Sequence, residues 1–181
     1  MNIPINDENR HFVTGKVILH YPHLQQPYSY KENIPPRYSV TVIIPKDGTE
    51  NINTIMELKS NIATVVKIGA EKFGDLLDSP NLSKSPLNNG NSLVITDLAY
   101  KNSVYFTAYS KIKPNIVNDK LEYVEHDNNY YELRYARVSI NIVPYQMKGK
   151  LGISLQLENI QVFPETFDVS KNKTDPIADF S

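Results

Sequence analysis

The sequence predicts an all-β fold with one inserted helix. Three observations predict it: five or six segments whose apolar residues recur at every second position, one long segment where they recur every three or four, and turn-forming residues massed between them. With 181 residues, 40% hydrophobic and 22% charged, the chain has apolar material for one folded domain and a modest extension.

Residues 12–19, Phe-Val-Thr-Gly-Lys-Val-Ile-Leu, read as a first strand that leaves through the turn-prone His20-Tyr21-Pro22-His23. A second strand spans 37–44, with Tyr38, Val40, Val42 and Ile44 on one face, and Pro45 ends it. From Thr49 to about Gly74 the period changes. Ile52, Ile55, Met56, Leu58, Ile62, Val65, Val66 and Ile68 recur at helical spacing behind Thr49 or Asn51 as caps, which predicts one amphipathic helix or two. Residues 75–92 collect Asp, Ser, Pro, Asn and Gly and read as a long surface loop.

Alternation returns at Ser103, where Val104, Phe106 and Ala108 oppose Tyr105, Thr107, Tyr109, Lys111 and Lys113, and Pro114 closes the strand. Residues 120–124 predict a short strand and 125–129 a polar loop. The longest β signal runs from Tyr130 to Tyr145. Ala136, Val138, Ile140 and Ile142 share a face there, and Leu133 falls out of phase, which places a bulge near Arg134. Lys148-Gly149-Lys150 turns the chain into a last strand carrying Leu151, Ile153, Leu155 and Leu157 on one face. Together these elements predict an OB-like antiparallel β-barrel over residues 1–163, with 164–181 as a flexible acidic tail; a sandwich or a jelly roll has the same periodicity.

Composition excludes several chemistries. With 19 Lys+Arg against 20 Asp+Glu, a polyanion site has to come from charge placement rather than from a basic chain. The chain has no Cys, hence no disulfides, thiolate metal ligands or cysteine nucleophile. No stretch is apolar for about 18 residues and Met1–Glu8 has no signal-like pattern, so a cytoplasmic protein without a membrane span is expected. His20 and His23 read as loop histidines, and Glu125-His126-Asp127 as a solvated loop rather than a hydrolytic cluster. Phosphate-binding Gly-rich loops, nucleophile elbows and zinc-binding His-Glu-x-x-His helices are all missing, so no enzyme, no metal and no cofactor are expected.

What remains is a stripe: Tyr105, Tyr109, Lys111 and Lys113 on one strand, Tyr135 and Arg137 on another. Rings beside cations suit an unpaired nucleic-acid strand, because each ring offers a face for an unstacked base while Lys and Arg neutralise phosphates. The same tyrosines would serve as ordinary cross-strand pairs on a wet face. Charge is segregated too. Residues 100–150 hold eight basic and five acidic residues, whereas 164–181 hold two basic and four acidic.

Several short segments in order, Thr14-Gly15-Lys16-Val17, Tyr38 to Lys46, Tyr105-Phe106 leading to Ser110–Val117, Tyr135 to Asn141, and the closing Ala178-Asp179-Phe180, resemble a family of phage and prophage proteins. That family, formerly a domain of unknown function, consists of single-stranded DNA-binding proteins of the OB fold and is distantly similar to the T7-type phage counterpart. The resemblance covers roughly residues 12–163. It implies a non-catalytic protein that coats single-stranded DNA during phage replication or recombination. Carried over by position, Lys111, Lys113 and Arg137 would touch phosphates and Tyr105, Tyr109 and Tyr135 would stack on bases. With Lys16, Arg37 and Arg134 these form the expected DNA-binding set. Asp175, Asp179 and Phe180 are the expected tail contacts to replication or recombination proteins, and self-association is a further expectation. The alternative reading is a phage structural or adaptor protein whose tyrosine face meets other proteins.

Overall fold

A computed structural model describes residues 10–73, 85–94 and 96–181. Its elements are β1 (Arg10–Val13), β2 (Val17–Tyr28), β3 (Arg37–Pro45), α1 (Thr49–Phe73), β4 (Asn88–Asn89), β5 (Ser103–Ser110), β6 (Asn115–Val117), α2 (Asn128–Tyr131), β7 (Arg134–Met147), β8 (Lys150–Thr166) and α3 (Pro176–Phe180). The molecule is mostly β, with one long helix inserted between β3 and β5. The strands order as β1-β7-β2-β3-β5-β8-β6, β4 adds to β5, and β7 also pairs with β8. The pairings β2–β3–β5–β8–β7 therefore return to β2. Parallel pairs interrupt the expected antiparallel pattern: β5 meets β8 through one register pair, Tyr109 with Gln156, and β6 runs parallel to β8.

One apolar core fills the inner side. Leu19 is fully buried in it, and so are Val40, Val42, Ile44, Phe106, Ala108, Ala136, Val138, Ile140 and Ile142, at the alternate positions the sequence predicts. Each large side chain so placed contributes on the order of 1.5–3 kcal/mol. The helical period in 49–73 belongs to a single helix. Ile55, Leu58, Ile62 and Val65, spaced by three and four, pack into the same core. Farther along, Gly69 passes so close to the β7–β8 hairpin that an added Cβ would lie 2.7 Å from Leu151 and 2.8 Å from Pro144. The hairpin turns on Lys148 and Gly149 with φ of 52° and 75°, the pair of positive angles that a tight two-residue connection requires.

Several sequence expectations change. The strand at 12–19 is two strands, broken where Thr14 turns inward: its N–H donates to Val138 O at 2.9 Å and its Oγ1 accepts from Val138 N at 3.0 Å. The second piece does not leave at His20–His23. It continues through Pro22 to Tyr28 because the β2–β3 register shifts between His20 and His23, and an irregularity of that kind is where a strand tolerates proline. Residues 120–124 form no strand; the pairing strand is 115–117, joined to this stretch by the Val117–Tyr123 bridge. The loop at 125–129 becomes the N-terminus of α2, where Asp127 accepts the Tyr130 N–H at 3.1 Å. Of the loop at 75–92, residues 75–84 lie outside the described residues, and Asn88–Asn89 pairs with β5. The bulge near Arg134 is present, as a register shift between Arg134 and Ala136 with Leu133 at φ 57°. Finally, β8 runs three residues past Phe163, and Phe167 and Val169 then pack against the outer side of the sheet.

Candidate functional site

Outward-facing residues of β7, β2, β3 and β5 form rows across the sheet, and two rows have different fates. In the first, Tyr135, Ile18, Ile43 and Tyr105 are successive cross-strand neighbours. Ala99 and Tyr100 lie on this row from one side, and Phe167 and Val169 pack on it as well, making a second small core. Tyr105 meets Tyr100 edge-on at 4.9 Å, and Tyr135 meets Phe167 edge-on at 6.3 Å. Burial, ahead of the nearby Asp47 and Glu165 charges, pushes the Tyr135 hydroxyl pKa up. Two of the three tyrosines expected to stack on bases, Tyr105 and Tyr135, are therefore half-covered and packed against other rings.

The other row floors a groove, with Ser39 covered by Tyr30, whose hydroxyl lies 3.3 Å from Ser39 Oγ. His23, Ser39 and Tyr109 are register neighbours across β2, β3 and β5, and Thr41 bonds to Thr107 beside them, hydroxyl to hydroxyl at 3.2 Å. Tyr21, His23, Tyr28, Tyr30, Thr41, Thr107 and Tyr109 line a groove of about 480 Å³. Tyr21, Tyr28 and Tyr30 are 57%, 48% and 54% exposed. The His23 and Tyr28 rings stack at 4.5 Å, and Tyr30 stands edge-on to both. Burial lowers the His23 pKa, which favours its neutral form.

Tyr109 also borders two further hollows. One, of about 560 Å³, reaches Tyr145 and Met147 by the β7–β8 turn; the other, of about 330 Å³, holds Arg37 and Lys111. Arg37 lies over the Tyr109 ring with its guanidinium carbon 4.2 Å from the centroid, a cation–π contact that also fixes the ring. Lys111 is exposed at the rim, and Glu158 shares the hollow.

The remaining expected cations are elsewhere. Lys113 is 2.6 Å from Glu125 and 3.2 Å from Gln25. Its bond to Glu125 raises the lysine pKa and lowers the glutamate's. Arg137 donates to Thr14 O from β7. Lys16 stands 5.1 Å from the Tyr135 ring and 4.8 Å from that of Phe163, by a hollow of about 330 Å³ shared with Asp47 and Phe167. Arg134 is buried: Nε donates to Tyr130 O at 2.6 Å, Nη1 donates to the carbonyls of Phe163 and Pro164, and the guanidinium stacks on Tyr130 at 3.6 Å. It is a tie between chain segments. Asp175, Asp179 and Phe180 sit in or beside the exposed α3, with Phe180 88% exposed.

Of the residues expected from sequence, Arg37, Tyr109 and Lys111 come together here, beside Tyr21, His23, Tyr28 and Tyr30, which the sequence expectation does not include. A signal exists, since three tyrosines fall within residues 21–30; reading Pro22 as the end of the strand conceals it.

A mostly β body bearing an open groove of rings with cations at its rim suits flat, anionic chains better than enclosed small molecules. Among the described residues no three His, Asp or Glu gather to hold a metal ion, and no helix is long and apolar enough to cross a membrane. Residues 10–176 match the family described as Enterobacter phage Enc34, ssDNA-binding protein, and the chain belongs to that family. No curated protein matches the sequence. Among solved structures, it is similar to the single-stranded DNA-binding protein from bacteriophage Enc34 in complex with ssDNA, at 19% identity over 87% of each chain with a TM-score of 0.66. A C-terminal truncation of that protein gives 20% identity, 87% and 88% coverage and a TM-score of 0.64. The single-stranded DNA-binding protein of bacteriophage T7 gives 15% identity, 93% and 96% coverage and a TM-score of 0.60.

Proposed function

We propose that this chain is a non-catalytic protein that binds single-stranded DNA with little sequence preference in phage DNA replication or recombination, in the host cytoplasm. The observation that carries the reading is the open ring-lined groove around Tyr109, with Arg37 stacked on that ring and Lys111 at the rim. Bases lie on Tyr109 and on the exposed Tyr21, Tyr28 and Tyr30, while Arg37 and Lys111 meet phosphates. Stacking does not select a base, because every base has a π-face.

The same reading takes the body as an OB-like barrel. Five strands, β2, β3, β5, β7 and β8 in chain order, pair in a ring. In an OB fold the second and third strands and the loops after the first and fourth form the nucleic-acid face. Here those parts are β3, β5, the segment 29–36 and the Lys148-Gly149 turn, and the groove lies among them. The exposed end, with Asp175, Asp179 and Phe180, serves replication or recombination proteins.

Titration of the full chain with fluorescent oligo-dT at two salt concentrations tests the reading. Binding weakens with salt at a log–log slope of about −0.7 per phosphate neutralised. Absence of binding at low salt, or binding indifferent to salt, overturns it.

A further inference from the structure

His20 lies one residue before the groove tyrosine Tyr21 and is 7% exposed, with a carboxylate at each ring nitrogen. Its Nε2 is 2.8 Å from Asp97 Oδ2, and its Nδ1 is hydrogen-bonded to Glu132 Oε1. The second oxygen of Glu132, Oε2, accepts the Tyr21 N–H at 3.1 Å. One carboxylate therefore holds both the buried imidazole and the backbone of the neighbouring tyrosine.

Tyr21 needs such a hold. Its φ is 47°, in the left-handed region that a bulky L residue rarely adopts. Its ring packs on that of His20 with centroids 4.0 Å apart, and Tyr21 lines the groove. The third element against His20 brings Tyr100, whose ring lies 5.4 Å away. Burial, then the charge of Asp97, keeps the Tyr100 hydroxyl neutral far into the alkaline range. The groups facing His20 are thus Asp97, Glu132, Tyr21 and Tyr100, and the only charges among them are the two carboxylates.

An imidazolium donates from both ring nitrogens, whereas neutral imidazole donates from one and turns a lone pair outward at the other. Between two carboxylates, only the protonated ring satisfies both sides. We propose that His20 is a positioning residue for single-stranded DNA: clamped between Asp97 and Glu132, it fixes the left-handed turn at Tyr21 and so presents the Tyr21 ring to the groove, and the clamp loosens when His20 loses its proton.

This rests on the groove's being the single-strand site. Burial acts on His20 to lower its pKa, but the hydrogen bonds and charges of Glu132 and Asp97 outweigh it, and the net shift is upward. A raised native value means that the clamp is complete below the ordinary imidazole range and is lost as pH rises through the native one. His23, in the same groove, shifts the opposite way under burial. Its titration belongs to the lower part of the pH scale and is separable.

The test is the affinity of the full chain for fluorescent oligo-dT at fixed ionic strength, from about pH 5.5 to pH 8.5, with the histidine ring and Tyr21 amide signals followed by NMR in the free protein. Wild-type affinity falls about tenfold across the upper part of this range, the change given by a His20 pKa about one unit higher in the bound than in the free protein. His20→Gln and Tyr21→Ala bind weakly and lose that upper step, while His23→Gln keeps it. The Tyr21 amide titrates together with the His20 ring. Should His20→Gln fail to fold, Glu132→Gln, which keeps an acceptor for the Tyr21 N–H, takes its place and loses the step in the same way. An upper step that persists without His20 or without Tyr21, or a Tyr21 amide that ignores His20, overturns the proposal. Binding with no upper step in wild type overturns this proposal alone, whereas no binding at any pH overturns the single-strand reading along with it.

Discussion

Two halves of one outer sheet surface, made by the same strands with the same alternation, have opposite characters. Around Ile18 and Ile43 the surface is roofed by Ala99, Tyr100, Phe167 and Val169 and behaves as a second core. Around Thr41, Thr107 and Tyr109 it is open and bordered by rings. The difference lies in what crosses over the strands, not in the strands themselves. A period of two says which side chains point outward; it says nothing about whether a distant segment comes to lie on them.

The sharpest way to break this division is to attack the roofed half. Ile18→Ala removes a fully buried side chain, and the expected loss is about 2–5 kcal/mol of unfolding free energy in urea, with oligo-dT affinity of the folded protein retained. Arg134→Ala, which strands the carbonyls of Tyr130, Phe163 and Pro164, costs about 3 kcal/mol in the same assay. If either variant keeps its stability and loses DNA binding instead, the roofed half is the interface.

Next in size is a matched pair of tyrosines. Tyr109→Ala weakens oligo-dT binding by about 1–3 kcal/mol at unchanged melting temperature, the worth of one base–ring stack. Tyr135→Ala does the reverse, losing about 1–2 kcal/mol of stability from its half-buried ring with affinity intact. A smaller effect separates the cations. Arg37→Ala reduces the salt slope of binding by about 0.7, whereas Lys113→Ala, whose charge is engaged by Glu125, leaves it unchanged. The smallest distinguishes two truncations. Ending the chain after Lys173 changes stability by less than about 0.5 kcal/mol in thermal melts, because α3 buries no side chain; ending it before Phe167 lowers the melting temperature because the roof is lost.

Much of the body was legible from periodicity. Ala136, Val138, Ile140 and Ile142, and the helical set Ile55, Leu58, Ile62 and Val65, are buried where spacing puts them, and Leu133 betrayed the bulge by being out of phase. What failed depends on contacts far apart in the chain. Pro22 looks like a stop because proline cannot donate to a ladder, yet a register shift accommodates it and carries Tyr28 to the groove. Arg134 looks like a surface cation, and its burial follows from a chain crossing 29 residues later that places carbonyls around it. His20 looks like a loop histidine because Asp97 and Glu132, its partners, are 77 and 112 residues away. Of the candidate groove, Arg37, Tyr109 and Lys111 stand out from local pattern; the company they keep does not.

Tyr109 also occupies the register position at which β5 pairs with β8, opposite Gln156. The ring of strands closes there, at the very residue on which a base is proposed to rest. On that proposal an oligonucleotide lying along the join would act as a suture across it, and slower amide hydrogen exchange on both flanking strands in the complex is the expected sign.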